Sequence, residues 1–96
     1  MLKILIERGE KVMARFMLNV GKGHFVNADT VKCIISADAE RARRILMKYG
    51  YDRASLEVVD ASSDAETRSL LMHYDGTMTI SSVSYNVLVK RFQGEE

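Results

Sequence analysis

Proline is absent from this 96-residue chain, and cysteine occurs once. Without proline there is no rigid linker and no cis-proline turn. A lone cysteine, Cys33, permits no intrachain disulfide, which fits a reducing compartment. Cys33 lies in the apolar run 31–35 and reads as a buried strand thiol, because no base or electropositive setting accompanies it. Long hydrophobic runs are missing too. No stretch approaches the roughly 20 apolar residues of a membrane span. The short run 2–6 is followed by Glu7, Arg8 and Gly9, which do not make a signal peptide. The expectation is therefore a cytoplasmic protein with no membrane partner. An excess of either charge is also lacking: 14 basic residues face 13 acidic ones, a formal net charge of +1. Bulk electrostatics would not draw such a monomer to a polyanion. Nucleic-acid binding would have to come from a local patch, or from patches multiplied by assembly.

What is present is the composition of an ordinary globular protein, 47% hydrophobic and 28% charged. The length is that of one domain. So short a chain buries a small fraction of its surface, and oligomerisation is one common remedy.

Residues 15–20 alternate, with Phe16, Leu18 and Val20 on one side, and read as a strand. Gly21-Lys22-Gly23 breaks it as a tight turn. Segments 24–27 and 31–36 read as further strands, with a kink near Ala28-Asp29. Residues 38–50 give the clearest helix, with Ala39, Ala42, Ile45, Leu46 and Tyr49 in one apolar stripe. Ser36 or Asp38 can cap its start, and Gly50 stands where a left-handed terminating residue is wanted. A short strand is expected at 56–59, then a polar connection at 60–66. Segments 67–74 and 77–81 flank Asp75-Gly76, the strongest hairpin signal in the chain. A second helix is predicted over 82–92, capped by Ser81 or Ser82, with Val83, Val87 and Leu88 turned inward. The class is α+β: a small, mostly antiparallel sheet with two helices, at about 38–49 and 82–92.

No set of residues for catalysis emerges. Gly21-Lys22-Gly23 lacks the third glycine of a dinucleotide fingerprint and the Gly-Lys-Ser/Thr ending of a P-loop, so no cofactor is expected. His24 and His73, with one cysteine and no carboxylate at ligand spacing, do not make a zinc site. Each reads as a strand residue facing solvent or a partner. Asp60, Asp64 and Glu66 lack the ligand alternation of a calcium loop and read as a solvated connection. The serines at 62–63 and 81–84 suit caps and turns. Met13, Met17, Met47, Met72 and Met78 read as core and interface fillers. The basic side of the first helix remains. Arg41, Arg43, Arg44 and Lys48, with Arg53 beyond, suit either a solvated face or phosphate contact through arginine forks. The reading is a protein that works by binding or assembling, not an enzyme.

Several blocks together resemble one family. Leu18-Asn19-Val20-Gly21-x-Gly23-x-Phe25-Val26-x-Ala28 is similar to the N-terminal block of the RemA-like regulators of extracellular matrix and biofilm genes in bacteria. Ile34-Ile35-Ser36 follows, and Arg43-Arg44-Ile45-Leu46 is placed like that family's basic pair. Asp60-Ala61, then Thr67-Arg68 leading into Leu70-Leu71-Met72, matches a third block, and Ile80-Ser81-Ser82-Val83 a fourth. The serine-rich stretch before Leu88-Val89-Lys90-Arg91 resembles the RemB-like branch. The resemblance runs from about Phe16 to Phe92. It implies a DNA-binding transcriptional regulator that assembles into rings or higher homo-oligomers, multiplying a weak basic patch along double-stranded DNA. The implied contact residues are Arg68, Arg41, Arg43 and Arg44. The chain departs from the family where adjacent arginines are expected: the loop reads Ser62-Ser63-Asp64-Ala65-Glu66, and Thr30 replaces an arginine near the second strand. Losing those charges weakens phosphate contact, so the same scaffold serving as a protein-interaction or structural subunit is the alternative.

Residues 1–12 admit two readings. Arg8-Gly9-Glu10 can be encoded by a purine-rich run resembling a bacterial ribosome-binding site, at a suitable distance before Met13. On that reading the domain is 13–96, and losing Lys3, Arg8, Lys11, Glu7 and Glu10 takes the net charge to zero. On the other, residues 2–6 form a genuine first strand or helix turn. Mass spectrometry of the native N-terminus decides between them: the first reading expects Met13 at the terminus, and a peptide retaining Leu2 overturns it.

Overall fold

The computed structural model describes residues 17–62 and 65–94. Strands β1 (Met17–Gly21) and β2 (His24–Asn27) form an antiparallel hairpin. Its turn takes Gly21, Lys22 and Gly23 through positive φ of 98°, 55° and 79°, which is why glycine brackets the lysine. A short 3-10 turn, Ala28–Thr30, then leads into β3 (Val31–Ser36). Helix α1 (Ala39–Lys48) starts from Asp38, whose carboxylate accepts the Arg41 N–H at 2.8 Å. Strands β4 (Val58–Asp60), β5 (Ser69–His73) and β6 (Met78–Ser81) follow, and helix α2 (Tyr85–Phe92) closes the described chain.

The second sheet runs β3-β5-β6-β4. Its β3·β5 and β5·β6 pairs are antiparallel, while β4 lies parallel to β6. The fold is thus α+β as expected, with two sheets instead of one and a single parallel pair. A parallel partner needs a long crossover, and the chain supplies one: β3, α1 and β4 form a split βαβ unit into whose middle the β5–β6 hairpin inserts.

The sheet separates two cores. Leu70, Met78 and Ile80 face α1, where they meet Ala42 and Leu46. Leu71 faces the other way and packs with Leu18, Val20, Val31 and Leu88. On that second face β6 carries Thr79 and Ser81, and the Ser81 hydroxyl donates to Val20 O at 2.7 Å. The hairpin backbone approaches closely here: a Cβ on Gly21 would lie 2.9 Å from Val83 Cγ2.

Several expectations need correction. Helix α2 begins at Tyr85, three residues later than 82, because Ser84 takes the cap by accepting the Val87 N–H, while Ser81 ends β6 and Val83 packs as an irregular residue. The strand expected at 56–59 is shifted to Val58–Asp60, and Leu56 is almost wholly exposed. Cys33 is exposed, because β3 is an edge strand and its register slips between Val31 and Cys33. Met17 and Met47 are also exposed, as is the stripe residue Tyr49, whereas Met78 is core. The expectations for residues 1–12, Met13, Phe16, Ser63 and Asp64 fall outside the described residues.

His73 is buried, not solvent-facing. The Thr30 hydroxyl donates to Asn27 O at 2.7 Å, so its oxygen accepts from His73 Nδ1 at 3.0 Å. His73 Nε2 then accepts from the Thr79 hydroxyl at 2.8 Å. The imidazole clips the start of β3 to the β5–β6 hairpin. Burial pushes its pKa below the ordinary 6.5, against weaker upward pulls from Asp75 and the Thr30 backbone.

A second brace lies beside β4. Arg53 Nη2 and Nε reach Asp60 Oδ2 at 2.8 and 3.2 Å, and Ser62 donates its hydroxyl to Asp60 Oδ1 at 2.6 Å. Burial raises the Asp60 pKa, but these hydrogen bonds outweigh it and hold the carboxyl below its usual range.

Two outcomes follow. A histidine with a lowered folded-state pKa contributes stability that is whole above 6.5 and declines as pH falls through the folded value. Urea unfolding at pH 7.5 and pH 5 should therefore show a loss in the wild type that His73→Gln lacks; equal slopes in both would refute the clip. Asp60→Ala should cost about 1–3 kcal/mol, against under about 0.5 kcal/mol for Glu40→Ala in an exposed ion pair; thermal melts compare the two.

Candidate nucleic-acid interface

The basic residues of α1 do not act as one group. At 100° per residue Arg41, Arg44 and Lys48 share one stripe, while Arg43 falls with Glu40 and Met47. Arg43 Nη2 pairs with Glu40 Oε2 at 2.7 Å, and its Nη1 reaches Met47 Sδ at 3.1 Å. Arg53 is engaged by Asp60. Arg41 and Arg44 have no ion pair among the described residues.

Arg68 lies immediately before β5. Its backbone is fixed twice: Arg68 N–H donates to Ser81 O at 2.9 Å, and Arg68 O accepts the Ala37 N–H at 3.1 Å. Its side chain reaches solvent, with Glu66 Oε1 at 4.0 Å. Both side chains are more than half exposed, so this ion pair contributes little.

Arg41 and Arg68 share one hollow. Both line an open concavity of about 540 Å³, with Asp38, Thr67, Ser84 and Tyr85 also on its walls. The N-termini of α1 and α2 converge there, since Asp38 and Ser84 are their caps. The first N–H groups of a helix have no intrahelical acceptor and carry a partial positive charge. Two arginines and two helix starts thus face one hollow, against the carboxylates of Asp38 and Glu66. Such an arrangement can hold an oxyanion; it offers no nucleophile paired with a base.

Of the four arginines expected at the site, the structure brings Arg41 and Arg68 into one hollow and sets Arg44 one turn further along α1. Arg43 lies apart and is already paired. Sequence reasoning gave Ser84 only a cap-or-turn role and gave Thr67 no role at the site. The cap signal Ser84-x-x-Val87 was present but competed with two earlier serines. Thr67 stands in the Thr67-Arg68 block, but only the fold reveals that it is buried at the hollow.

Among the described residues no cluster of histidine, cysteine, aspartate or glutamate is placed to hold a metal, and no helix is long and apolar enough to cross a membrane.

The model of the RemA-like family, described as extracellular matrix regulatory protein A-like, matches residues 17–92. A protein of Oleidesulfovibrio alaskensis named for a regulatory role is 32% identical over 80 residues, covering 83% of this chain and 92% of that one. A protein of Geobacillus kaustophilus, likewise named for a regulatory role, is 28% identical over 85 residues, covering 88% and 93%. These names point to regulation and not to an enzyme. With the family model spanning nearly the whole described domain, the chain belongs to the RemA-like family.

Proposed function

We propose that this protein is a small oligomeric DNA-binding regulator of transcription, of the RemA type, acting on matrix or biofilm genes in the cytoplasm. The observation that carries the reading is the convergence of Arg41 and Arg68 on one open hollow, with Arg44 continuing the same helix stripe. Arginine forks and helix N-termini are the groups that engage phosphate oxygens along a duplex. One protomer offers few such contacts. Repetition in a homo-oligomer raises avidity without strengthening any single contact. Both edges of the four-stranded sheet, β3 and β4, lack a strand partner among the described residues. Exposed apolar side chains, Val59 on β4 and Tyr85 and Phe92 on α2, lie outside the two cores and suit burial between protomers.

A second reading keeps the assembly and drops the DNA. It is favoured by the pairing of Arg43 with Glu40 and of Arg53 with Asp60, and by Glu66 beside Arg68. On this reading the scaffold is a protein-interaction or structural subunit.

Light scattering and a gel shift test both. The first reading expects assembly, and retardation of generic A·T-rich duplex that weakens steeply with salt. Arg41→Ala with Arg68→Ala should lower the salt slope by about one per lost phosphate contact. Arg43→Ala should change it much less. Assembly without a shift at low salt selects the second reading.

A further inference from the structure

Thr67 is the least explained residue of the hollow. Its relative exposure is 4%, and its hydroxyl has no hydrogen-bond partner among the described residues. Buried hydroxyls are paired in folded proteins, with protein, water or ligand. Ser69 and Ser81, equally buried nearby, obey that rule: their hydroxyls donate to Val83 O at 2.6 Å and Val20 O at 2.7 Å. Thr67 alone of these three is left with the hollow it lines as the place for its bond.

The neighbouring donors fit one chemistry. Arg68 adjoins Thr67 in sequence with its backbone pinned on both sides, and Arg41 lies across the hollow. At the start of α2, Ser84 accepts the Val87 N–H on its side chain and the Leu88 N–H on its carbonyl. That leaves the N–H groups of Tyr85 and Asn86 without an intrahelical acceptor. A neutral ligand makes no use of the two guanidinium charges, and a planar carboxylate has two oxygens for donors arriving from three elements. A tetrahedral phosphoryl group offers three or four.

We infer that the hollow is a seat for a single phosphoryl group, with the Thr67 hydroxyl, the Arg41 and Arg68 guanidiniums and the α2 N-terminus as its donors. The hollow is open and, at about 540 Å³, has room beside the phosphoryl group for the rest of a phosphate ester. That ester comes either from a nucleic-acid backbone or from a free phosphorylated small molecule. Asp38 and Glu66 also face the hollow. Asp38 is committed to capping α1, whereas Glu66 is exposed and competes with the ligand for Arg68. The seat shares two arginines with the DNA reading but does not require it.

The test is titration of the full chain with inorganic phosphate, then adenosine monophosphate, then a short duplex, followed by amide chemical shifts at constant ionic strength. The expected result is saturable shifts in Thr67, Arg68, Tyr85 and Asn86 with phosphate, weakened about tenfold in Thr67→Val, which keeps the shape and removes the hydroxyl. Glu66→Gln should tighten binding, a gain that no folding defect can imitate. The same amides shifting with duplex assign the seat to a DNA phosphate. Saturation by the mononucleotide, without response to duplex, assigns it to a free ligand and leaves the DNA reading to fail alone. No saturable shift with phosphate or mononucleotide, or equal affinity in wild type and Thr67→Val, overturns the seat even if the gel shift succeeds.

Discussion

Leu70 and Leu71 stand side by side in β5 and enter different cores, and this alternation on a central strand organises the molecule. β5 has β3 on one side and β6 on the other, so its two faces must both be covered. Leu70 is covered by α1, and Leu71 by the β1–β2 hairpin and α2. A slip of one residue would exchange the two leucines and put each against the wrong layer. The hairpin turn at Asp75-Gly76 prevents it: Asp75 accepts from both the N–H and the hydroxyl of Thr77, and Gly76 supplies the positive φ. His73 adds a link at the same end, from β5 out to Thr30 and Thr79.

The opposite end of β5 borders the hollow. Here Ala37 N–H and Ser81 O both bond to the Arg68 backbone, so one residue joins the entry to α1, the start of β5 and the end of β6. The two helices have to begin beside that junction, because β3 delivers the chain to α1 and β6 delivers it to α2. The convergence of two helix N-termini on Arg68 is therefore a consequence of topology. The register of β5 sets both the cores and the position of the arginine that faces the hollow.

That dependence explains what was legible in the sequence. The Asp75-Gly76 hairpin, the Asp38 cap and the α1 stripe through Ala42 and Leu46 are local signals, decided within a few residues, and the structure keeps them. The parallel β4·β6 pair is not local. It depends on where the β5–β6 hairpin inserts, which no spacing within 58–60 reveals. Cys33 and His73 were misjudged for the same reason. Their surroundings are set by an edge position with a register slip and by two threonines from distant segments, not by their own runs. At the site the basic run on α1 was visible, but its division was not, since pairing of Arg43 with Glu40 follows from helix geometry and that of Arg53 with Asp60 from a tertiary contact.

The same pairings bear on how a chain with a net charge of +1 can meet a polyanion at all. Paired arginines such as Arg43 and Arg53 are weak attractors, because their field is cancelled close by. In the hollow Arg41 and Arg68 also face carboxylates, but Asp38 bonds the Arg41 backbone N–H and Glu66 stands 4.0 Å from the Arg68 guanidinium, so neither arginine side chain is held in a close ion pair. Local geometry, not total charge, then decides where an anion can sit. A surface of this kind gives little long-range steering, and its contacts act only within about a Debye length. On the proposed DNA reading, affinity for a long polyanion comes from repetition of short-range contacts, and that is the part the reading gives to assembly.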